Sequence, residues 1–282
     1  MLFSERHGYK KVKMLGKEEM PDHLKTRIWN AFYEEIFSKV GSPKVQKINE
    51  RFDSLPYEYL KILWNKFFVQ NLQVVAKYNY RKQVSMMYES FAELDWNKVY
   101  DFIEFLAKNY KNVIVVKSIM TKIDTAFKEE RSSYRVIQNL VVPLTAEEEI
   151  KEIKKVFDIP DKYGAVRHHF EKALKFFSMR PEPDYANSIK ESISAVDVLV
   201  QIILGKEGTL GKLIDGLDIH PALKKAFSNL YGWTSDDAGI RHPKSKEPLS
   251  CDEPEARYML ITCSAFINYV IHKTGNDKGG ME

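Results

Sequence analysis

The sequence predicts a mainly α fold in two parts, with one small β-hairpin near the middle of the chain. Three observations carry that expectation. Apolar residues recur every three or four positions through most of the 282 residues, the spacing of a buried helix face. Only the stretch around Tyr134 to Val142 alternates with the period of two that marks a half-buried strand. Clusters of Pro, Gly and Asp fall where the helical runs should start or stop.

Composition sets the bounds. Hydrophobic residues make up 44% and aromatics 12%, ample for real cores, and the length favours two ordinary domains over one large one. Charged residues reach 29% but nearly balance at +4, so any nucleic-acid contact should be a local patch. Cys251 and Cys263 are the only cysteines. They are too few for a disulfide framework or a four-thiolate zinc site and match a reducing compartment. The opening MLFSERHGYKK lacks an apolar core of signal-peptide length, and no window approaches a membrane helix. A cytoplasmic protein without membrane association is expected, with no metal and no cofactor.

The first helix should follow Met20-Pro21-Asp22, with Leu24, Ile28, Phe32 and Ile36 along one face and Gly41-Ser42-Pro43 as its stop. A second stripe, Leu60, Leu63, Trp64, Phe67, Phe68 and Leu72, predicts a helix from Pro56 to Val75. A third run spans about Tyr88 to Tyr110, with a break expected at Asp95. Over Asn112 to Phe127 strand and helix compete, because Val113 to Val116 are β-branched; Ile119, Ile123 and Phe127 favour helix. The aromatics of this half are expected in the core, and it holds no Gly-rich phosphate loop, HExxH or nucleophile elbow. It therefore suits sensing or interaction.

A hairpin is expected over 132–143, turning at Gln138-Asn139. Thr145-Ala146-Glu147-Glu148 reads as a capping box for a helix burying Ile150, Ile153 and Phe157. A domain boundary is placed near residue 160, dividing 1–160 from 161–274, with 275–282 as a tail. Helices should then cover Tyr163 to Met179, the run after an Asp184 N-cap, a short Gly-flanked piece near Leu210 to Ile214, the run opened by His220-Pro221, and a last helix from Asp252. The last helix should bury Ala256, Met259, Leu260, Cys263, Phe266, Ile267 and Val270. Adjacent His168 and His169 point about 100° apart on a helix and read as polar surface or one interface contact.

Leu230 to Pro243, LYGWTSDDAGIRHP, is the stretch richest in chemistry. Arg241 offers a planar fork of donors for phosphate oxygens, and His242 a proton carrier near neutral pH, so the pair points to phosphodiester chemistry. The plainer alternative is a helix-capping arginine beside a surface histidine.

The strings DYANSIKESISAVDVL, HPALKKAFSNLYGWTSDDAGIRH and ITCSAFINYV resemble the HEPN domain at the C-terminus of AbiJ-type abortive-infection proteins. FSERHGYK with RIWN, and SYRVIQNLVVPLTAEEEI, resemble the N-terminal domain that partners it. The resemblance implies an all-α bundle of four or five helices that commonly dimerises. It also implies an antiphage effector that is either a metal-independent endoribonuclease or an inactive RNA- or partner-binding module, with a phage-derived trigger possible. The resemblance implies an active pattern in which four to six residues separate an arginine from a following histidine; here only the adjacent pair Arg241 and His242 carries over. In the nuclease reading those two act on RNA, Glu191 and Asn187 orient them, and Lys224, Lys225, Lys244 and Lys246 seat the RNA backbone.

Overall fold

A computed structural model describes residues 3, 7, 13–38, 54–179, 182–235 and 251–276. The chain divides into two compact units, Met1–Thr145 and Ala146–Glu282. Their architecture is mainly α, as expected, with one two-stranded hairpin among the described residues.

In the first unit α1 (Asp22–Phe32) continues into a π-helical turn, Tyr33–Phe37. α2 (Ser54–Ile62) does the same over Leu63–Phe67. The single helix expected from Pro56 to Val75 is therefore broken. Val69 takes φ +50°, and a separate turn, α3 (Leu72–Val75), starts from Asn71, whose side chain accepts from the Gln73 amide. The break expected at Asp95 is present: α4 (Tyr80–Ala92) and α5 (Trp96–Asn109) flank it. α4 starts well before Tyr88 because Asn79 caps it through the Lys82 amide at 3.0 Å.

Val113 opens a helix, α6 (Val113–Glu129), despite the β-branched run. Asn112 accepts from the amides of Ile114 and Val115, which anchors the first turn. The apolar faces meet in one core, where Leu24, Ile28 and Phe32 of α1 are fully buried with Phe91, Phe102, Ile123 and Phe127.

The hairpin consists of β1 (Arg135–Ile137) and β2 (Leu140–Val142), paired antiparallel with Ile137 opposite Leu140. Gln138 and Asn139 both have positive φ, the type I′ requirement that the sequence placed there. Val136 and Val141 face each other, and their amides bond to helices. The Val136 N–H donates to Asp124 of α6 and the Val141 N–H to Glu104 of α5, each at 2.8 Å. Two carboxylates thus satisfy edge groups that would otherwise template further pairing.

The second unit begins with α7 (Glu147–Phe157). Its N-cap is Ala146 and no side chain caps it, so the capping box expected at Thr145 does not form. Three glutamates in the first turn face the helix dipole instead. The sequence assigned α7 to the first domain. It packs on the last helix, α12 (Glu253–Asn276), where Arg257 donates twice to Glu149 (2.6 and 3.0 Å) and Asn268 donates to Glu152 at 2.9 Å. By compactness α7 groups with the second unit, which begins at Ala146.

α8 (Gly164–Ser178) and α9 (Tyr185–Leu204) form the most extensive pair, and α12 packs on both. The one-turn α10 (Leu210–Leu213) and α11 (Pro221–Ser235) complete the unit, and Phe227 of α11 stacks on Phe266 of α12 at 3.5 Å. All seven residues expected on the buried stripe of α12 are at most 4% exposed.

Cys263 lies within that stripe, and burial pushes its thiol far above the ordinary range. Cys251 is half-buried and raised more mildly, by burial and then by Glu255 and Asp252. A thiol-disulfide reagent at pH 8 should therefore label one site slowly in the native protein and two in denaturant. Cys251→Ser should abolish the native signal. Fast labelling of both thiols without denaturant would contradict the packing of α12.

Candidate functional site

Asn187 and Glu191, two of the expected site residues, lie on α9, which packs against α8. Asp184 caps α9, accepting from the Asn187 amide at 3.0 Å and from its side-chain Nδ2 at 2.7 Å. One turn on, Ser188 and Ser192 are fully buried. Ser188 donates to the Ala173 carbonyl of α8 at 2.9 Å, and Ser192 to the Ser188 carbonyl at 2.8 Å. Their small, satisfied hydroxyls cost little to bury and let the two helices lie close.

At the solvent edge of this contact, His169 Nδ1 of α8 stands 2.6 Å from Glu191 Oε2 of α9. The carboxylate is the more buried partner, its side chain 16% exposed against 29% for the imidazole. With Nδ1 donating to Glu191, Nε2 is the basic nitrogen. An imidazole oriented by a partly buried carboxylate has the form of a base and its orienting group.

The expected site residues divide as follows. Asn187 and Glu191 share a face of α9, four residues apart, but Asn187 is held by Asp184 and Glu191 by His169. Lys224 of α11 donates to the Asp215 carbonyl at 2.7 Å, and Lys225 is exposed. Arg241, His242, Lys244 and Lys246 lie outside the described residues. His169 was not expected to act in a site. Nothing local could have revealed it, since its partner lies 22 positions away on another helix.

Among the described residues no cluster of three or more His, Cys, Asp or Glu side chains is arranged to hold a metal ion, and no helix is long and apolar enough to cross a membrane.

Residues 1–158 match the family model described as AbiJ N-terminal domain 4. The match covers the first unit and runs through α7; the segments that resemble a HEPN domain lie beyond it. No curated protein and no solved structure matches the chain. With more than half of its length matched, the chain belongs to the AbiJ N-terminal domain 4 family and is an abortive-infection-related protein.

Proposed function

We propose that the second unit is a HEPN-like, metal-independent endoribonuclease and that the protein is an antiphage effector, acting as a homodimer. The observation that carries this reading is the His169–Glu191 pair on the paired helices α8 and α9. Cleavage by transesterification needs two proton transfers. One group removes the proton from a ribose 2′-OH as that oxygen attacks the adjacent phosphorus, and another protonates the departing 5′-oxygen. The products are a 2′,3′-cyclic phosphate and a free 5′-hydroxyl. His242 supplies one proton carrier and His169 the second, with Glu191 orienting His169. Arg241 neutralises charge on the phosphorane oxygens. Lys225, Lys244 and Lys246 seat the RNA backbone, while Lys224 also braces α11.

Labelled RNA in EDTA tests the assignment. His169→Ala should slow cleavage roughly 10²-fold or more, in the usual range for a lost acid or base. Glu191→Gln should retain binding but change the pH–rate profile. Unchanged rates and profile in both variants would remove the pair from the chemistry.

A second reading, a non-catalytic RNA-binding module, is favoured by one observation. Asn187 and Glu191 are engaged by Asp184 and His169, so neither is reserved for Arg241. Saturable RNA binding with no cleavage in phage-infected or uninfected cells would select it.

A further inference from the structure

The first unit contains a cleft of about 590 Å³ on the face of α5, within the size range of small-molecule sites. Its floor is aromatic: Phe67, Phe68 and Phe105 are half-buried, and Phe67 meets Phe68 edge to face at 5.1 Å and Phe105 at 5.4 Å. Two of those rings owe their position to unusual backbone. α2 closes in a π-helical turn, with Phe68 N–H donating to the Leu63 carbonyl and Gln70 N–H to that of Trp64. Val69 then takes a left-handed conformation and is 78% exposed. Glycine is usual at such a position, and a β-branched residue there is strained. Strain of this kind and π-helical turns both concentrate at functional sites. Here they leave two adjacent phenylalanines lining the cleft.

The polar groups, Lys98, Asp101, Glu104 and Lys108, all lie along α5. Glu104 is half-buried, with Oε1 accepting from Val141 N–H. Lys98 is already paired with Asp101 at 2.8 Å. Lys108 forms no ion pair among the described residues and is exposed, about one helical turn beyond Glu104. Aromatic faces suit a planar ring, a partly buried carboxylate suits ring N–H and amino donors, and an exposed ammonium suits phosphate. A lipid chain would not call for the charged rim, and a bare anion would not call for the aromatic floor.

We propose that this cleft binds a guanine nucleotide, the base lying against Phe67, Phe68 and Phe105, its N1–H and amino group donating to Glu104, and its phosphate meeting Lys108. Guanine is the base whose edge presents two adjacent donors to one carboxylate. The site is independent of any RNA cleavage by the second unit, and failure of one reading leaves the other standing.

Calorimetry on the full chain with GMP, AMP, guanosine and inorganic phosphate as separate probes tests it. Expected is saturable binding of GMP, at least tenfold weaker binding of AMP and guanosine, and none of phosphate. Lys108→Ala should erase the preference for GMP over guanosine. Glu104→Gln keeps an acceptor for Val141 and should erase the preference for GMP over AMP while the thermal transition is retained. No GMP binding at millimolar concentration, equal binding of AMP and GMP, or binding of phosphate as tight as GMP would overturn the proposal.

Discussion

Replacing His242 with alanine is expected to lower the rate of RNA cleavage by roughly 10²–10⁴-fold while leaving RNA affinity within a few-fold of wild type. The size follows from losing a positioned acid or base in a reaction that otherwise has only water to carry the proton. Arg241→Lys is the informative companion, because it keeps the positive charge and removes the planar fork. If Arg241 stabilises the phosphorane, the lysine variant should bind RNA with little loss and still cleave slowly. Parallel loss of binding and cleavage in both variants would instead mark these residues as grips on the RNA backbone.

Phe102→Ala should destabilise the first unit by about 3–5 kcal/mol, the cost of removing a fully buried aromatic from a core that cannot collapse around the gap. Phe102 is wholly buried and touches four other rings: Phe32 at 4.8 Å, Phe91 at 5.0 Å, Phe67 at 5.1 Å and Phe68 at 6.0 Å. Trp29, Trp64 and Trp96 lie in the same unit, so denaturation followed by tryptophan fluorescence reports mainly on its core. Val113→Ala, at a position 76% exposed, should change stability by less than about 0.5 kcal/mol. A loss below about 1 kcal/mol for Phe102→Ala would mean that the ring cluster is not the centre of the unit.

Periodicity made legible those elements whose packing repeats along one face. The α12 stripe from Ala256 to Val270 was readable because every third or fourth residue meets the same neighbours, and all of it is buried. The hairpin was readable because Gln138-Asn139 sits between two alternating runs, and the turn demands positive φ at both. Val113 to Val116 shows how a local cap overrides propensity: Asn112 supplies acceptors to two amides of the first turn, and Val113 and Ile114 then face solvent.

Other features depend on partners distant in sequence. Ser188 and Ser192 interrupt the apolar spacing of α9, yet a hydroxyl that bonds a carbonyl of its own or the facing helix can be buried. The break at Val69 carried no glycine to announce it. The capping-box pattern at Thr145 was present in sequence, yet the N-terminus of α7 leaves it unused. Of the candidate site, Glu191 was legible as a polar residue on α9, but its engagement with His169 follows only from the packing of α8 beside it.

The nuclease reading meets its most direct test in the ends of cellular RNA. Cells expressing the wild-type chain or His242→Ala, with and without phage infection, should be compared by sequencing RNA fragments that carry 2′,3′-cyclic phosphates. The account predicts a set of new cyclic-phosphate ends that appears with the wild-type chain, rises on infection and vanishes with the variant. Identical sets of ends from wild type and variant under both conditions would contradict it.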